Sequence, residues 1–274
     1  MVQRSDALRL FWWKAKPNFG DALSSLVVAH MSGRPVVHAH VKDADLIALG
    51  SLLRVVSRNH QKLRASGKPW IWGSGMMAKV DPGFVKNVEV TLLRGPVSAG
   101  LLKLNITKFG DPGLLADVVV PNPPGREDRV GLVLHHEQVQ DEALIQRLQA
   151  DAAVDLIDPR EDVREVCHKI ASCSHVYSSS LHGLIVADSY GVANTWIDPG
   201  DHPRLKYIDY AASIGRDMPA PLELDSIKEN MKTLRDGPLP YADGIARARH
   251  DILTTFPEPL KAASDTKDRL SERA

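Results

Sequence analysis

The chain has 274 residues, of which 43% are hydrophobic and 25% are charged, a composition that excludes a disordered chain and is typical of a globular protein. Its 34 basic residues balance 34 acidic ones, so no overall positive field attracts nucleic acid. No apolar run approaches the roughly 20 residues of a transmembrane helix, and the first residues, MVQRSD, lack the apolar segment of a signal peptide. We therefore expect a cytoplasmic protein without a nucleic-acid partner, in which any anionic ligand is bound by local cations.

Short apolar segments alternate with helical or glycine-rich ones, which is typical of a parallel sheet covered by helices. Residues 121–128 (PNPPGRED) predict a linker because they are rich in proline and charge. We predict an α/β fold of two Rossmann-like, doubly wound domains facing a cleft, at residues 1–120 and 129–225, followed by helices and a tail at 226–274. The predicted strands are 7–13, 35–38, 46–50, 70–73, 88–93, 130–134, 154–157, 175–178 and 194–197, and the predicted helices are 22–30, 142–150, 163–171, 182–190, 226–235 and 245–254.

The most informative segment is residues 176–191 (VYSSSLHGLIVADSYG), in which a serine-rich turn joins a strand to a helix. It places His182 at the N-terminal end of that helix. Free N–H groups and the helix dipole favour a phosphate or carboxylate at such a position. A structural histidine in a capped turn is the alternative interpretation.

In open α/β sheets, ligands bind at the carboxyl ends of the strands, so the loops that follow strands are the first places to search. Asn18, Gly20 and Asp21 follow the first predicted strand. Gly20 permits close approach of the backbone, and Asp21 can either cap the helix or accept a proton from a hydroxyl.

Two more loops of the first domain carry candidate ligand-binding residues. Gly73, Ser74 and Gly75 could cradle a ligand, although glycines after a strand usually form only a turn. Arg94 lies at a strand end just before a helix that Pro96 starts. There it can form a bidentate contact with an anion, or else a surface salt bridge.

In the second domain, His136 and Glu137 follow the first strand and face the predicted cleft. Adjacent positions on a strand point to opposite faces, so His135 and His136 should not chelate one ion, and we predict no metal. Arg204 and Lys206 follow a later strand and either bring positive charge toward His182 or form a solvated basic surface.

Six short motifs lie within about residues 10–214. In their order and spacing the chain resembles the polysaccharide pyruvyltransferase family, most specifically in the Arg-Gly-Pro motif and the serine-rich turn with its Leu-His pair. The motifs are residues 18–21 (NFGD), 73–75 (GSG), 93–96 (LRGP), 111–112 (DP), 180–183 (SLHG) and Lys206.

The resemblance implies a fold like the GT-B glycosyltransferases. It also implies transfer of the enolpyruvyl group of phosphoenolpyruvate onto two hydroxyls of a sugar, with release of phosphate. In the family an arginine, a histidine and a lysine bind the donor, which correspond here to Arg94, His182 and Lys206, and the serine-rich turn adds Ser180 and Gly183. Many members carry arginine where this chain has Ser180, so donor binding should depend more on Arg94 and Lys206.

By the same resemblance, we expect the acceptor to be a sugar in a bacterial exopolysaccharide repeat unit. That unit would be carried by a lipid-linked oligosaccharide at the cytoplasmic face of the inner membrane, which the protein would contact peripherally. Phosphoenolpyruvate is the expected co-substrate, and we expect no cofactor. The alternatives are a GT-B glycosyltransferase that uses a nucleotide sugar and a non-catalytic glycan-binding protein of polysaccharide assembly.

The expected chemistry needs a proton donor for C3 of phosphoenolpyruvate and a base for the sugar hydroxyls. We predict His182 as the acid, with a pKa near its ordinary value of about 6.5. Asp21, His136 and Glu137 remain open as the base.

Overall fold

A computed structural model describes residues 6–152, 154–218, 220–234 and 237–263. From residue 264 onward, the predicted C-terminal tail lies outside these residues. The strands are β1 Leu8–Phe11, β2 Val36–His38, β3 Leu46–Ile47, β4 Trp70–Trp72, β5 Glu89–Leu92, β6 Val130–Val133, β7 Asp155–Leu156, β8 His175–Ser178 and β9 Ala193–Trp196. The α-helices are α1 Phe19–Ser32, α2 Leu53–Asn59, α3 Pro96–Leu101, α4 Ala116–Val119, α5 Glu142–Ala152, α6 Val163–Ala171, α7 Leu181–Ser189, α8 Leu205–Ile214, α9 Ile227–Met231 and α10 Ala242–Thr255.

The described strands form two sheets, and every pairing in both is parallel. The strand orders are β2-β1-β3-β4-β5 and β7-β6-β8-β9. Parallel strands need crossover connections, and here helices such as α1, between β1 and β2, and α6, between β7 and β8, supply them. The predicted α/β class with parallel sheets is confirmed, and the topology is consistent with a Rossmann-like fold.

Each sheet has a point at which the strand order reverses, and ligand sites in this class lie there. In the first sheet, β1 pairs with β2 on one side and with β3 on the other. In the second sheet, β6 pairs with β7 and β8 in the same way. The segments that leave β1, β6 and β8 therefore position the site.

Successive residues of a strand pack in different hydrophobic cores, because their side chains point to opposite faces of the sheet. Leu10 packs in a core that also contains Val176 of the second sheet, whereas its neighbour Phe11 packs on the opposite face. Each such buried side chain contributes about 1.5–3 kcal/mol. Because one core contains residues of both sheets, helices from the two halves contact each other, as α1 and α6 do.

Every predicted strand is present in the part of the chain that is described, with ends shifted by a few residues. Helix α1 begins at Phe19 rather than at residue 22, because the Asn18 side chain accepts a hydrogen bond from the Gly20 N–H at 2.9 Å. The helix predicted at 226–235 is shorter and spans Ile227–Met231.

Residues 121–128 contain no helix or strand. The division into two domains facing a cleft stays a prediction. None of the described helices is long and apolar enough to cross a membrane.

Candidate active site

Predicted site residues from both halves of the chain meet where the strands end. Gly20, in the first turn of α1, lies against the ring of His182 at the start of α7. The charges of Lys206 and Arg94 both act on His182, and Lys206 also interacts with Asp21. We call Asp21, Arg94, His182 and Lys206 the central cluster.

His182 is 8% exposed, and its Nε2 has no hydrogen-bond partner among the described residues. Burial, followed by the charges of Lys206 and Arg94, lowers the pKa of His182 to about 3. The prediction of a near-ordinary pKa is therefore wrong for the ligand-free protein, because the sequence could not reveal the burial. The imidazole is neutral at physiological pH and has a free nitrogen, a combination that suits it to meet a ligand.

Gly20 is required by the close approach of α1 to His182. A Cβ atom at residue 20 would lie 2.1 Å from Nδ1 and 2.4 Å from Cγ of the His182 ring. The absence of a Cβ atom at Gly20 thus leaves room for the imidazole.

Gly20→Ala is expected to displace the His182 ring and to lower turnover by about 10²-fold, the cost typical of a shift of about 1 Å in a catalytic group. Phosphate release from phosphoenolpyruvate, the co-substrate that the family resemblance implies, in the presence of a pool of p-nitrophenyl hexosides would measure the loss. Gly100→Ala is the matched control, because apart from its chain neighbours and the backbone of its own helix no atom lies within 4 Å of the Cβ it would add. Equal turnover in the two variants would show that the ring position is not critical.

Arg94 lies two residues after the end of β5 and is completely buried. Its Nε donates to Asp209 at 3.2 Å, its Nη1 to Ser51 at 2.8 Å and its Nη2 to the Met76 carbonyl at 2.7 Å. The surface salt bridge considered from the sequence is wrong, because the ion pair is buried. The network fixes the guanidinium and leaves two of its five N–H groups without a bond among the described residues.

Lys206 is the second residue of α8 and is 7% exposed, so the alternative of a solvated basic surface is wrong for this residue. Burial, followed by the charge of Arg94, lowers the pKa of Lys206 from 10.5 to about 8. Burial raises the pKa of Asp21 to about 7, although Lys206 opposes the rise. By contrast, Arg204 is exposed and lies 3.7 Å from Asp198.

The serine-rich turn before α7 is a buried structure with internal hydrogen bonds. The hydroxyl of Ser178 donates to the carbonyl of Ser180 at 2.8 Å and accepts from its N–H at 3.1 Å. A Cβ at Gly183 would lie 2.2 Å from that hydroxyl, so glycine is required there. The Ser180 hydroxyl makes no capping bond, and donor binding by Ser180 and Gly183 stays a prediction.

The 73–75 segment packs against Arg94 of the central cluster. The Ser74 hydroxyl donates to the Gly50 carbonyl at 2.8 Å. A Cβ at Gly75 would lie 2.4 Å from the guanidinium carbon of Arg94, and one at Gly73 would lie 2.2 Å from Pro112. These glycines allow Arg94 and the 111–112 turn to pack closely, and contact of this segment with a ligand stays a prediction.

His136 and Glu137 lie at the rim of the site. Glu137 Oε2 lies 3.2 Å from Nε2 of His202, and its Oε1 lies 3.4 Å from Nζ of Lys16. The rings of His135 and His136 are 4.2 Å apart. The expectation that these two side chains point to opposite faces is wrong, because β6 ends at Val133 and both histidines belong to the following turn.

Two residues of this region were not found from the sequence. Asp209 accepts bonds from Arg94 and from the N–H and hydroxyl of Ser98, and His202 contacts Glu137. A helical spacing of three from Lys206 places Asp209 on the same side of α8, but only with the helix already known.

Comparison with known proteins identifies the chain's relatives. A family model described as polysaccharide pyruvyl transferase matches residues 4–202. The chain belongs to this family. The match covers the central cluster except Lys206, which lies just beyond it.

An uncharacterized protein of Acanthamoeba polyphaga mimivirus is 27% identical over 161 residues, which are 53% of this chain and 54% of the viral protein. The chain thus spans about half the length of this curated relative. No solved structure matches. Arg94 and Lys206, which the sequence analysis compared with motifs of this family, act on His182 through their charges.

Proposed function

We propose that this chain is a ketal pyruvyltransferase that moves the enolpyruvyl group of phosphoenolpyruvate onto two hydroxyls of a sugar in a bacterial exopolysaccharide repeat unit. The observation that carries the proposal is His182, a buried imidazole whose Nε2 has no partner among the described residues and on which the charges of Lys206 and Arg94 act. Membership of the polysaccharide pyruvyl transferase family supports the same reaction class.

Donor binding follows from the charges of the central cluster. Phosphoenolpyruvate carries a phosphate and a carboxylate, and a chain with no net charge must gather cations to bind both. Lys206 and the two unbonded N–H groups of Arg94 would supply them. The bound anion would raise the pKa of His182, because a nearby negative charge favours the imidazolium form. Binding would thus convert a neutral histidine into the required acid.

The transfer would then proceed in two steps. His182 would give a proton to C3 of the donor while one sugar hydroxyl adds to C2 and loses its proton to Asp21. The C2–O bond to phosphate would break, with Asp21 returning its proton to the phosphate. The second hydroxyl would add to C2 and reprotonate His182. Burial would favour each transfer by excluding water.

Asp21 is the base that the structure favours among the three considered from the sequence. Its pKa, raised to about 7, allows it both to take and to return a proton at neutral pH. Glu137 is half exposed and contacts the cationic Lys16 and the ring of His202, and these contacts weaken it as a base. His136 lies beside it at the rim.

The donor is a cytoplasmic metabolite, and we place the reaction in the cytoplasm for that reason. A lipid-linked oligosaccharide acceptor and peripheral contact with the inner membrane stay predictions from the family resemblance.

Calorimetric titration with phosphoenolpyruvate is expected to show binding that weakens as the pH rises. Lys206 is charged below its pKa of about 8 and neutral above it, so the Kd should increase above pH 8 by up to about tenfold per pH unit. Lys206→Met should bind weakly at every pH and lose this dependence. Lys206 is the better probe than Arg94, whose removal would leave Asp209 buried without its ion-pair partner.

Uridine and guanosine diphosphates in parallel titrations separate the competing functions. Binding of a nucleotide without binding of phosphoenolpyruvate would move the assignment to glycosyl transfer from a nucleotide sugar. Glycan binding that survives His182→Gln, with no turnover of any donor, would indicate a non-catalytic glycan-binding protein.

A further inference from the structure

A second group of titratable side chains lies at the rim, outside the central cluster. His135 and Glu137 belong to the turn after β6, and His202 lies in the segment before α8. One possible ligand atom from each residue lies within 4.8 Å of the others. The rings of His135 and His202 are 3.6 Å apart, and His202 Nε2 lies 3.2 Å from Glu137 Oε2.

We propose that His135, Glu137 and His202 form a binding site for a divalent transition-metal ion, with Zn²⁺ as the best match. Two imidazoles and one carboxylate are a known ligand set for zinc with an open fourth position. Magnesium and calcium prefer oxygen ligands, of which this group offers one residue's carboxylate. The sequence predicted no metal, and its geometric argument fails because His135 is not on a strand.

The three residues differ in burial and in the hydrogen bonds that hold them. This difference fits a site in which the less buried residues move toward a bound ion. His135 is 8% exposed, and its backbone N–H donates to the Ser179 hydroxyl at 2.9 Å. Glu137 is half exposed, and His202 lies in a segment without helix or strand. Zinc ligands lie about 2.0–2.2 Å from the ion, so Glu137 and His202 would move inward toward a fixed His135.

The positive charge of Lys16 would repel a metal ion bound by Glu137. Its Nζ lies 3.4 Å from Oε1 of Glu137, and its side chain is 51% exposed. A cation bound by Glu137 would displace this lysine or be repelled by it. Removing the lysine charge should therefore tighten metal binding, whereas removing any of the three ligands should weaken it.

The site does not depend on the proposed pyruvyl transfer, because the ligands are distinct from the central cluster. Coordination positions left open by the protein would be filled by water or by an oxygen of a bound anion. Metal binding can therefore be measured in the absence of phosphoenolpyruvate and of any sugar.

Titration of the full, tag-free chain with Co²⁺ alone is the test, since Co²⁺ in a tetrahedral zinc site gives visible absorption that added Zn²⁺ abolishes. We expect one saturable site, with the Kd raised at least about tenfold in His202→Ala and in Glu137→Gln. Disturbing even the outer partners of metal ligands costs 10–100-fold in affinity. Lys16→Met should lower the Kd by a few fold.

His250→Ala is the matched control, because it removes an exposed histidine of α10 and should leave the Kd unchanged. The side chains of Glu137 and His202 are 51% and 19% exposed, so neither change falls in a hydrophobic core and circular dichroism should show an intact fold. The absence of saturable Co²⁺ binding, or equal Kd values in His202→Ala, Glu137→Gln and wild type, would overturn the proposal. A failure to bind phosphoenolpyruvate would contradict the proposed pyruvyl transfer but not the metal site.

Discussion

His182→Gln is expected to lower turnover with phosphoenolpyruvate and an acceptor by about 10²–10⁴-fold, the usual contribution of a general acid. Glutamine fills much of the same buried volume and can still donate a hydrogen bond, but it cannot transfer a proton to C3. Phosphate release under saturating phosphoenolpyruvate measures the effect on kcat. Donor binding by calorimetry should change much less, because Lys206 and Arg94 remain in place.

Asp21→Asn tests the base independently of the acid. Asparagine preserves the shape of Asp21 but removes its ability to accept a proton, so turnover should again fall while the donor still binds. A variant with unaltered kcat at either position would remove that residue from the mechanism. His250→Ala serves as the control for loss of an unrelated, exposed histidine.

Asp209→Ala is expected to destabilise the fold by about 3–5 kcal/mol, the cost of leaving one charge of a buried ion pair without its partner. Both side chains of the Arg94–Asp209 pair are 0% exposed. Asp209 also accepts from the N–H and the hydroxyl of Ser98, at 2.8 and 2.7 Å. Its removal therefore leaves three buried donors without their acceptor.

Urea unfolding would measure this loss as a lower midpoint at an unchanged slope. Asp209→Asn, which retains an acceptor oxygen but not the charge, should fall between Asp209→Ala and wild type. Glu229→Ala is the control, since it breaks an exposed pair with Lys232 and such pairs contribute little. A midpoint for Asp209→Ala equal to that of Glu229→Ala would show that the buried pair does not stabilise the fold.

His182 and the Arg94–Asp209 pair are connected parts of one site. Asp209 positions Arg94, and Arg94 acts on both His182 and Lys206 through its charge. A Cβ at Gly95 would lie 1.9 Å from the Asp209 carbonyl oxygen, so the Arg-Gly-Pro motif also allows α8 to approach. The glycine of that motif is therefore explained by packing.

The sequence by itself determined the strands, most of the helices and the place of His182. These features depend on local signals, namely short apolar segments, a proline at the start of α3 and a serine-rich turn before α7. The motifs around Arg94 and His182 also indicated the family, because their order and spacing are properties of the chain alone.

The tertiary structure alone decided which charges meet and how deeply they are buried. Arg94 and Asp209 are 115 positions apart, and nothing local marks them as partners. Lys206 was predicted near the site, but its burial follows from α8, which packs against α3 and α10. The pKa values of His182, Lys206 and Asp21 likewise depend on desolvation, and desolvation is set by atoms that distant segments bring together.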